Sequence, residues 1–383
     1  MKNGVIIIEG HVQGLSNTRA LGKDGIPVFV VDMNNCVTRY SKYCKKYFKC
    51  PDYVSDDFAE FLITLAKKEN IHDWTLLPSN DHAVYTISKH KKILSEYYKV
   101  IALDYDKIVK IINKANLLSI ADQCKIPIPK TEYFDSYIDI STKLNFPVLI
   151  KGKQGLSFYK ETRRKAFVAN DIKELQGKLL EISVFYPLDK TFVQEIIPSH
   201  NNRTISFTAF CIDGIIKSHW TGIKILEHPH EYGTATLAQS IKNEIVFEQS
   251  QILLKELNFT GVCEVEYLLD PRDNKYKLIE INPRTWLWVG LAIECGINYP
   301  LYIYNYLNNI ETCYNSEYPV GLKWVNPYTN TIFGLKNLIK RKITLKKMIK
   351  LNSGKKINAL FDYDDIKPFF AYASLLLTMI RTR

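Results

Sequence analysis

Residues 261–284, GVCEVEYLLDPRDNKYKLIEINPR, place two apolar-rich runs on either side of the turn residues DPRDN, the pattern of a β-hairpin. Closed about Asp273, the hairpin sets Glu266 opposite Glu280, Glu264 opposite Asn282 and Leu268 opposite Leu278 on one face. The other face goes to Val265, Tyr267, Ile279 and Ile281. Burial of the apolar face fixes that register, because a slip of one residue would exchange the two faces. The consequence is a pair of facing carboxylates, which at roughly 4–5 Å and an effective dielectric near 20 repel by about 3–4 kcal/mol. The face therefore calls for a cation. Glu266, Glu280 and Asn282 supply hard oxygen donors, a set that favours Mg2+ or Mn2+ bridging a phosphate over zinc. Arg284, next along this face, is placed to clamp an anionic oxygen with its planar fork.

Cations elsewhere in the chain suit the same chemistry. Lys151 ends the strand FPVLIK and opens the stretch KGKQGLSFYKETRRK, which holds six Lys or Arg against one Glu and reads as a loop able to fold over a triphosphate. Lys114 lies on a helix just before it. The strand FVQEII, with Gln194, Glu195 and Ile197, runs into a Pro-marked bend where backbone groups can meet an adenine edge. No Ser-His-Asp or Cys-His arrangement stands out, and His228 and His230 read as loop residues.

With 383 residues, 46% of them hydrophobic and 24% charged, the chain can build two or three domains with their own cores. Its start lacks the apolar stretch of a signal peptide, and its eight cysteines form no C-x-x-C pair, so reduced thiols in a cytoplasmic protein are expected. Net charge is +11, and the segment 336–356 alone holds nine Lys or Arg and no acid. Its apolar residues recur at helical spacing, so a single basic amphipathic helix is predicted, either a solvated face or a contact with an acidic glycan or, peripherally, with an anionic membrane surface at its inner face. The charge is too localised, with too few interleaved aromatics, for nucleic-acid binding.

The fold class read from the chain is α/β plus α+β. Residues 1–105 show strand GVIIIEG, loop, helix, strand IPVFVVD, then WTLLPS and YYKVIAL, the order of a parallel α/β domain. A helix is expected over 106–125, and antiparallel strands follow through two α+β units, 106–190 and 191–310, with 311–383 as a basic helical tail. The first unit imitates a dinucleotide-binding turn ending in Asp32, which would suit a nicotinamide-dependent oxidoreductase. Gly10 and Gly14 give G-x-x-x-G, however, and not G-x-G-x-x-G.

In chain order, Lys114, Lys151, the hinge strand Gln194–Ile197 and the E-x-N-x-R hairpin resemble the ATP-grasp superfamily over about residues 1–310. The chain looks most like its bacterial carboxylate-amine ligase or ATP-dependent carboligase branch, which includes D-aspartate ligase-like proteins. GLSNTRALGKDGIPVFVVD followed by YSKYCKKYFKCP is similar to that branch's opening, and NALFDYDDIKPFF to its tail. The resemblance implies a Rossmann-like domain ahead of two α+β subdomains that enclose ATP. It also implies two Mg2+ ions on Glu266, Glu280 and Asn282, ATP phosphates on Lys114 and Lys151, and adenine against the hinge at Gln194, Glu195 and Ile197. Asn202 would lie near the ribose, Lys224 at the γ-phosphate and Arg284 at a phosphate or acyl phosphate. The stretch KQGLSF lacks a clear G-x-x-G, and the usually acidic ribose position falls in SHNNR, two departures from the family pattern. The implied reaction is amide formation between a small carboxylate and an amine through an acyl phosphate, on an amino acid or a cell-envelope precursor. A non-catalytic ATP-binding scaffold and carbamoyl phosphate-like synthesis stand as alternatives. Gln13 and the loop Asn80–His82 would face the cleft, with Asp81 expected as a solvated loop acid and, in the other reading, as the group that meets an amine.

Overall fold

Val5–Ile8 (β1) and Val28–Asp32 (β2) are apolar runs in which every residue is buried, as strands of a parallel sheet covered on both faces must be. The computed structural model describes residues 3–134, 141–198, 204–228 and 233–381. β1 and β2 belong to a five-stranded parallel sheet with Cys44–Lys49 (β3), Trp74–Pro78 (β4) and Tyr98–Val100 (β5), in the order β3-β2-β1-β4-β5. The strand order reverses between β1 and its neighbours, so the loops leaving β1 and β4, at Glu9–His11 and Ser79–Asp81, flank the crevice where such sheets take ligands. The helix Val12–Lys23 packs tightly onto this turn. A Cβ on Gly14 would lie 2.3 Å from the Glu9 carbonyl oxygen, which explains the glycine that imitates a dinucleotide motif.

The predicted helix over 106–125 is two helices, Tyr105–Ile112 and Lys114–Gln123. Asn113 interrupts them with extended backbone, and its side chain caps the second helix by accepting from the N–H groups of Ala115 and Asn116. A four-stranded antiparallel sheet follows, Thr131–Glu132 (β6), Val148–Gly152 (β7), Phe167–Ala169 (β8) and Thr191–Glu195 (β9), ordered β6-β9-β7-β8. β9 lies inside this sheet, so the expected boundary at residue 190 falls within a hydrogen-bonded unit. The basic stretch after Lys151 is also not a loop: Gly155–Thr162 is a helix. Phe158 anchors it, fully buried edge-on to Phe167 and Tyr186.

Thr204–Ile212 (β10), Ile215–His228 (β11), Thr234–Ile241 (β12), Gly261–Asp270 (β13), Lys275–Asn282 (β14), Lys323–Val325 (β15) and Lys356–Asn358 (β16) form a seven-stranded sheet, ordered β14-β13-β10-β11-β12-β15-β16. β15 and β16 come from the segment expected as a separate tail, and Leu360 and Tyr372 from the same segment enter the main core. Arg19 and Asp365, paired at 2.9 Å and both buried, fasten it to the N-terminal domain. The predicted single helix over 336–356 is instead Pro327–Ile339 and Leu345–Leu351, the second capped by Thr344. Trp220, Trp286, Trp288 and Trp324 fill the core shared by the first and third sheets, which holds the N-terminal crevice over the face of the hairpin.

The hairpin pairs Glu264 with Asn282, Val265 with Ile281 and Glu266 with Glu280, the expected register over the acidic positions. Beyond them a β-bulge takes up Ile279, so Tyr267 meets Leu278 and Leu268 meets Lys277, correcting the expected Leu268–Leu278 pair. Leu278 is thereby fully buried in the core with Tyr267, and Lys277 turns to the acidic face.

Candidate active site

Two lysines answer the repulsion between the facing carboxylates. Lys224, on β11, reaches across β10 to place its Nζ 3.0 and 3.1 Å from the two Glu266 carboxylate oxygens. Lys114, at the start of its helix, donates to Glu280 Oε2 at 2.6 Å. Its backbone N–H is fixed by the Lys153 carbonyl at 2.7 Å, so the break at Asn113 aims this side chain. The Lys114 ammonium is the main reason the Glu280 carboxyl is held down to about 2, against the opposing effect of burial. Burial also works against the charge on Lys114 and Lys224, but Glu280 and Glu266 respectively outweigh it and raise both ammonium groups.

Lys151 is different. It donates to Gln194 Oε1 at 3.0 Å and has no carboxylate partner among the described residues. Burial first and the neighbouring Lys114 ammonium second push it down to about 7. Gln194 is itself oriented by donating to Thr131 Oγ1 at 3.0 Å.

Arg284 closes the other end. Its Nε and one terminal nitrogen donate to the two Asp81 carboxylate oxygens at 2.8 and 2.9 Å, and that nitrogen also donates to Asn282 Oδ1 at 3.2 Å. Asp81 opens the helix Asp81–Lys89 after β4, so it is an inter-sheet partner of the arginine and not a solvated loop acid. Beside them Glu9 stands in left-handed backbone at φ 74°. Its carboxylate accepts from Gln13 Nε2 at 2.7 Å, and burial pushes it up to about 7, partly countered by Arg284.

Glu264 is a further site residue that the sequence reading did not single out, although its position opposite Asn282 was legible. It accepts from Asn282 Nδ2 at 3.0 Å, and its other oxygen is buried without a partner among the described residues. Burial, then the nearby Glu266 carboxylate, pushes it up to about 8. Glu9 carried no comparable signal, because a positive φ at a glutamate cannot be read from residue type.

The hinge residues divide. Gln194 faces the lysines, whereas Glu195, alternating to the other side of β9, is buried and paired with Arg272 at 2.9 Å and Lys277 at 3.4 Å. Its N–H is committed to the Lys130 carbonyl at 3.0 Å, so a ligand contact at this residue falls to other backbone atoms. Ile197 is buried just beyond the strand, while Asn202 and His230 lie outside the described residues. His228 ends β11 and stacks on Phe333.

Residues 216–294, from β11 through both strands of the hairpin, match the family described as carbamoyl-phosphate synthase L chain, ATP binding domain. The chain is 27% identical to a D-aspartate ligase of Enterococcus faecium (strain Aus0004) over 263 residues, 64% of this chain and 62% of that protein. The match thus spans less than two thirds of the relative's own length. An L-amino acid ligase from Bacillus licheniformis superposes with a TM-score of 0.60 at 16% identity, covering 80% of this chain and 75% of that one. The ADP complex of an N5-carboxyaminoimidazole ribonucleotide synthetase does so with a TM-score of 0.64 at 14% identity, covering 89% and 86%.

The chain has the ATP-grasp fold.

In ATP-grasp terms the parallel sheet is the Rossmann-like domain ahead of the grasp, and the two later sheets bring Lys151 and the acidic hairpin to one cleft. The donor set fits a divalent cation of the Mg2+ type. Among the described residues no three His, Cys, Asp or Glu side chains converge as a closed cage. Mg2+ does not need one, since it is commonly held by one or two carboxylates together with substrate phosphates. Glu266 and Glu280 face each other with ammonium groups already seated against both, and Glu264, buried beside them, has an oxygen without a hydrogen-bond partner among the described residues.

Proposed function

We propose that the protein is an ATP- and Mg2+-dependent carboxylate-amine ligase that activates a small carboxylate as an acyl phosphate and joins it to an amine, with an amino acid as one substrate. The observation that carries this reading is the facing pair Glu266 and Glu280, each neutralised by a lysine from another element, next to a third lysine that lacks a carboxylate partner among the described residues. Such a face holds balanced charge when empty and has the groups to exchange when a phosphate and a cation arrive.

Glu266, Glu280 and Asn282 would hold Mg2+, which when bound neutralises phosphate oxygens and favours transfer. Lys114 and Lys151 hold the phosphate chain, and Lys151 gains a proton and a counter-ion together when phosphate reaches it. Gln194 orients Lys151, and Ile197 and the backbone near Glu195 border the adenine. Lys224 stabilises the transferred phosphoryl group from the Glu266 side. Arg284 exchanges Asp81 for the substrate carboxylate and holds it in line, and the freed Asp81, with Glu9 nearby, presents negative charge to an ammonium group. Charge placed in advance, with no side-chain nucleophile, supplies the barrier reduction. In this reading residues up to about 105 shape the substrate end, and the two later sheets grip ATP. An amino-acid substrate is supported by the similarity to a D-aspartate ligase and by the zwitterion-like pairing of Arg284 with Asp81.

The test is phosphate release from ATP with Mg2+ and pooled amino acids or sugar acids, for the wild type and Glu280→Ala. Release that depends on one acid and disappears in the variant is the expected result. Tight ATP binding without turnover under any pool overturns the ligase reading in favour of a scaffold.

A further inference from the structure

A helix at a protein surface normally turns its apolar stripe inward. The helices Pro327–Ile339 and Leu345–Leu351 do the reverse, and neither contains a buried residue. On the first, Ile332, Leu335 and Ile339 recur at i, i+3 and i+7, so they share one face, and that face is open to solvent, Ile339 being 82% exposed. On the second, Leu345 and Ile349 stand at i and i+4, again exposed. The inner side is held to the body by Tyr328, which packs on Phe369 and Tyr372, and by Phe333, which stacks on His228, while Asn330 ties the two helices together by donating to Asn352 at 2.8 Å. Met348 lies beside Gly334, where an added Cβ would meet its sulfur at 3.2 Å, so the two helices form one continuous patch.

Charge decides what covers it. The segment 336–356 carries nine Lys or Arg and no acid, and Lys336, Lys340, Arg341, Lys346, Lys347 and Lys350 are exposed around the apolar residues. A second copy presenting the same face would bring these cations together, and an acidic protein segment alone would leave the isoleucines and leucines in water. We propose that this patch is a docking surface for an anionic lipid bilayer, with the apolar stripe entering the boundary of the acyl region and the lysines meeting the headgroups. No helix among the described residues is long and apolar enough to cross a membrane, so the attachment is peripheral.

The full chain is sedimented with vesicles of equal parts phosphatidylglycerol and phosphatidylcholine, and with phosphatidylcholine alone. Binding to the anionic vesicles only is expected, weakened about tenfold or more in Ile339→Asp/Ile349→Asp and about fivefold for each lysine neutralised at Lys340 or Lys347. All these residues are exposed, so the variants should keep the wild-type melting temperature, which serves as the folding control. No binding to either vesicle overturns the proposal. So does binding that high salt abolishes but the aspartate variant leaves unchanged, since that is adsorption by charge alone. A wild-type dimer that the aspartate variant splits, without vesicle binding, would make the patch a self-association face and equally overturn it.

Discussion

Replacing Glu280 by Gln should have opposite effects on two forms of ATP. Lys114 is bound to Glu280 at 2.6 Å, with the two side chains 25% and 33% exposed. Unit charges about 4 Å apart attract by about 4 kcal/mol at an effective dielectric of 20, and partial exposure lowers the net value to about 1–2 kcal/mol. Metal-free ATP must break this pair to recruit Lys114, and it also meets the negative charge of Glu280. Glu280→Gln removes both penalties, so metal-free ATP should bind about 5- to 30-fold more tightly. The same change removes a proposed cation ligand, so turnover with Mg2+ and ATP should fall by about 100-fold or more. Calorimetric titration with EDTA present gives the first quantity, and phosphate release the second. Metal-free ATP binding that weakens in Glu280→Gln would refute the exchange of Lys114 between carboxylate and phosphate. A Lys114→Met/Glu280→Gln double variant separates the pair from its parts, and the gain in metal-free binding should vanish in it.

Because two lysines already neutralise the acidic face, chelation of divalent ions should leave the melting temperature of the ATP-free protein unchanged while abolishing turnover; a large drop on chelation would mean a structural cation. Lys151 has its ammonium pushed down to about 7, below its unfolded value, so the unfolded chain binds more protons from about pH 7 to 10.5 and this group makes stability rise with pH across that window. Lys151→Met should flatten that rise in denaturation curves, and ATP binding near pH 8 should take up a fraction of a proton, read from calorimetry in buffers of different ionisation enthalpy. Asp81→Asn should free Arg284 and lower KM for the carboxylate substrate by about three- to tenfold, whereas Arg284→Lys, which loses the bidentate fork, should lower kcat by about 100-fold. A Cβ at Gly152 would stand 2.3 Å from that of Phe158, so Gly152→Ala should cost about 1–3 kcal/mol in denaturant unfolding, with no effect expected if the helix Gly155–Thr162 can shift freely.

The acidic face was legible because strand alternation is strict: once Val265 and Ile281 must be buried, Glu266 and Glu280 have to face each other. The register stopped being legible at Ile279, since nothing in KLIEIN marks a bulge, and only the burial of Leu278 against Tyr267 decides it. The break at Asn113 and the helix after Lys151 were missed for a related reason. Asn is a weak local signal that tertiary contacts turn into a cap, and a run of lysines reads as a loop until Phe158 is seen to need a core. The C-terminal segment was misjudged because β15 and β16 have only three residues each, and β15 is held by β12, more than eighty residues earlier in the chain, with β16 added at its edge.

Residue type and spacing alone determined an oxygen-rich acidic face on the hairpin with an arginine beyond it, because these depend on local periodicity and on which side chains must be buried. The partners were decided only in three dimensions. Lys224 reaches Glu266 across an intervening strand, Lys114 reaches Glu280 from 166 positions earlier, and Asp81 holds Arg284 from 203 positions earlier. Charge pairing depends on distance in space, and a buried ion takes whichever opposite charge the packing of the three sheets brings within reach.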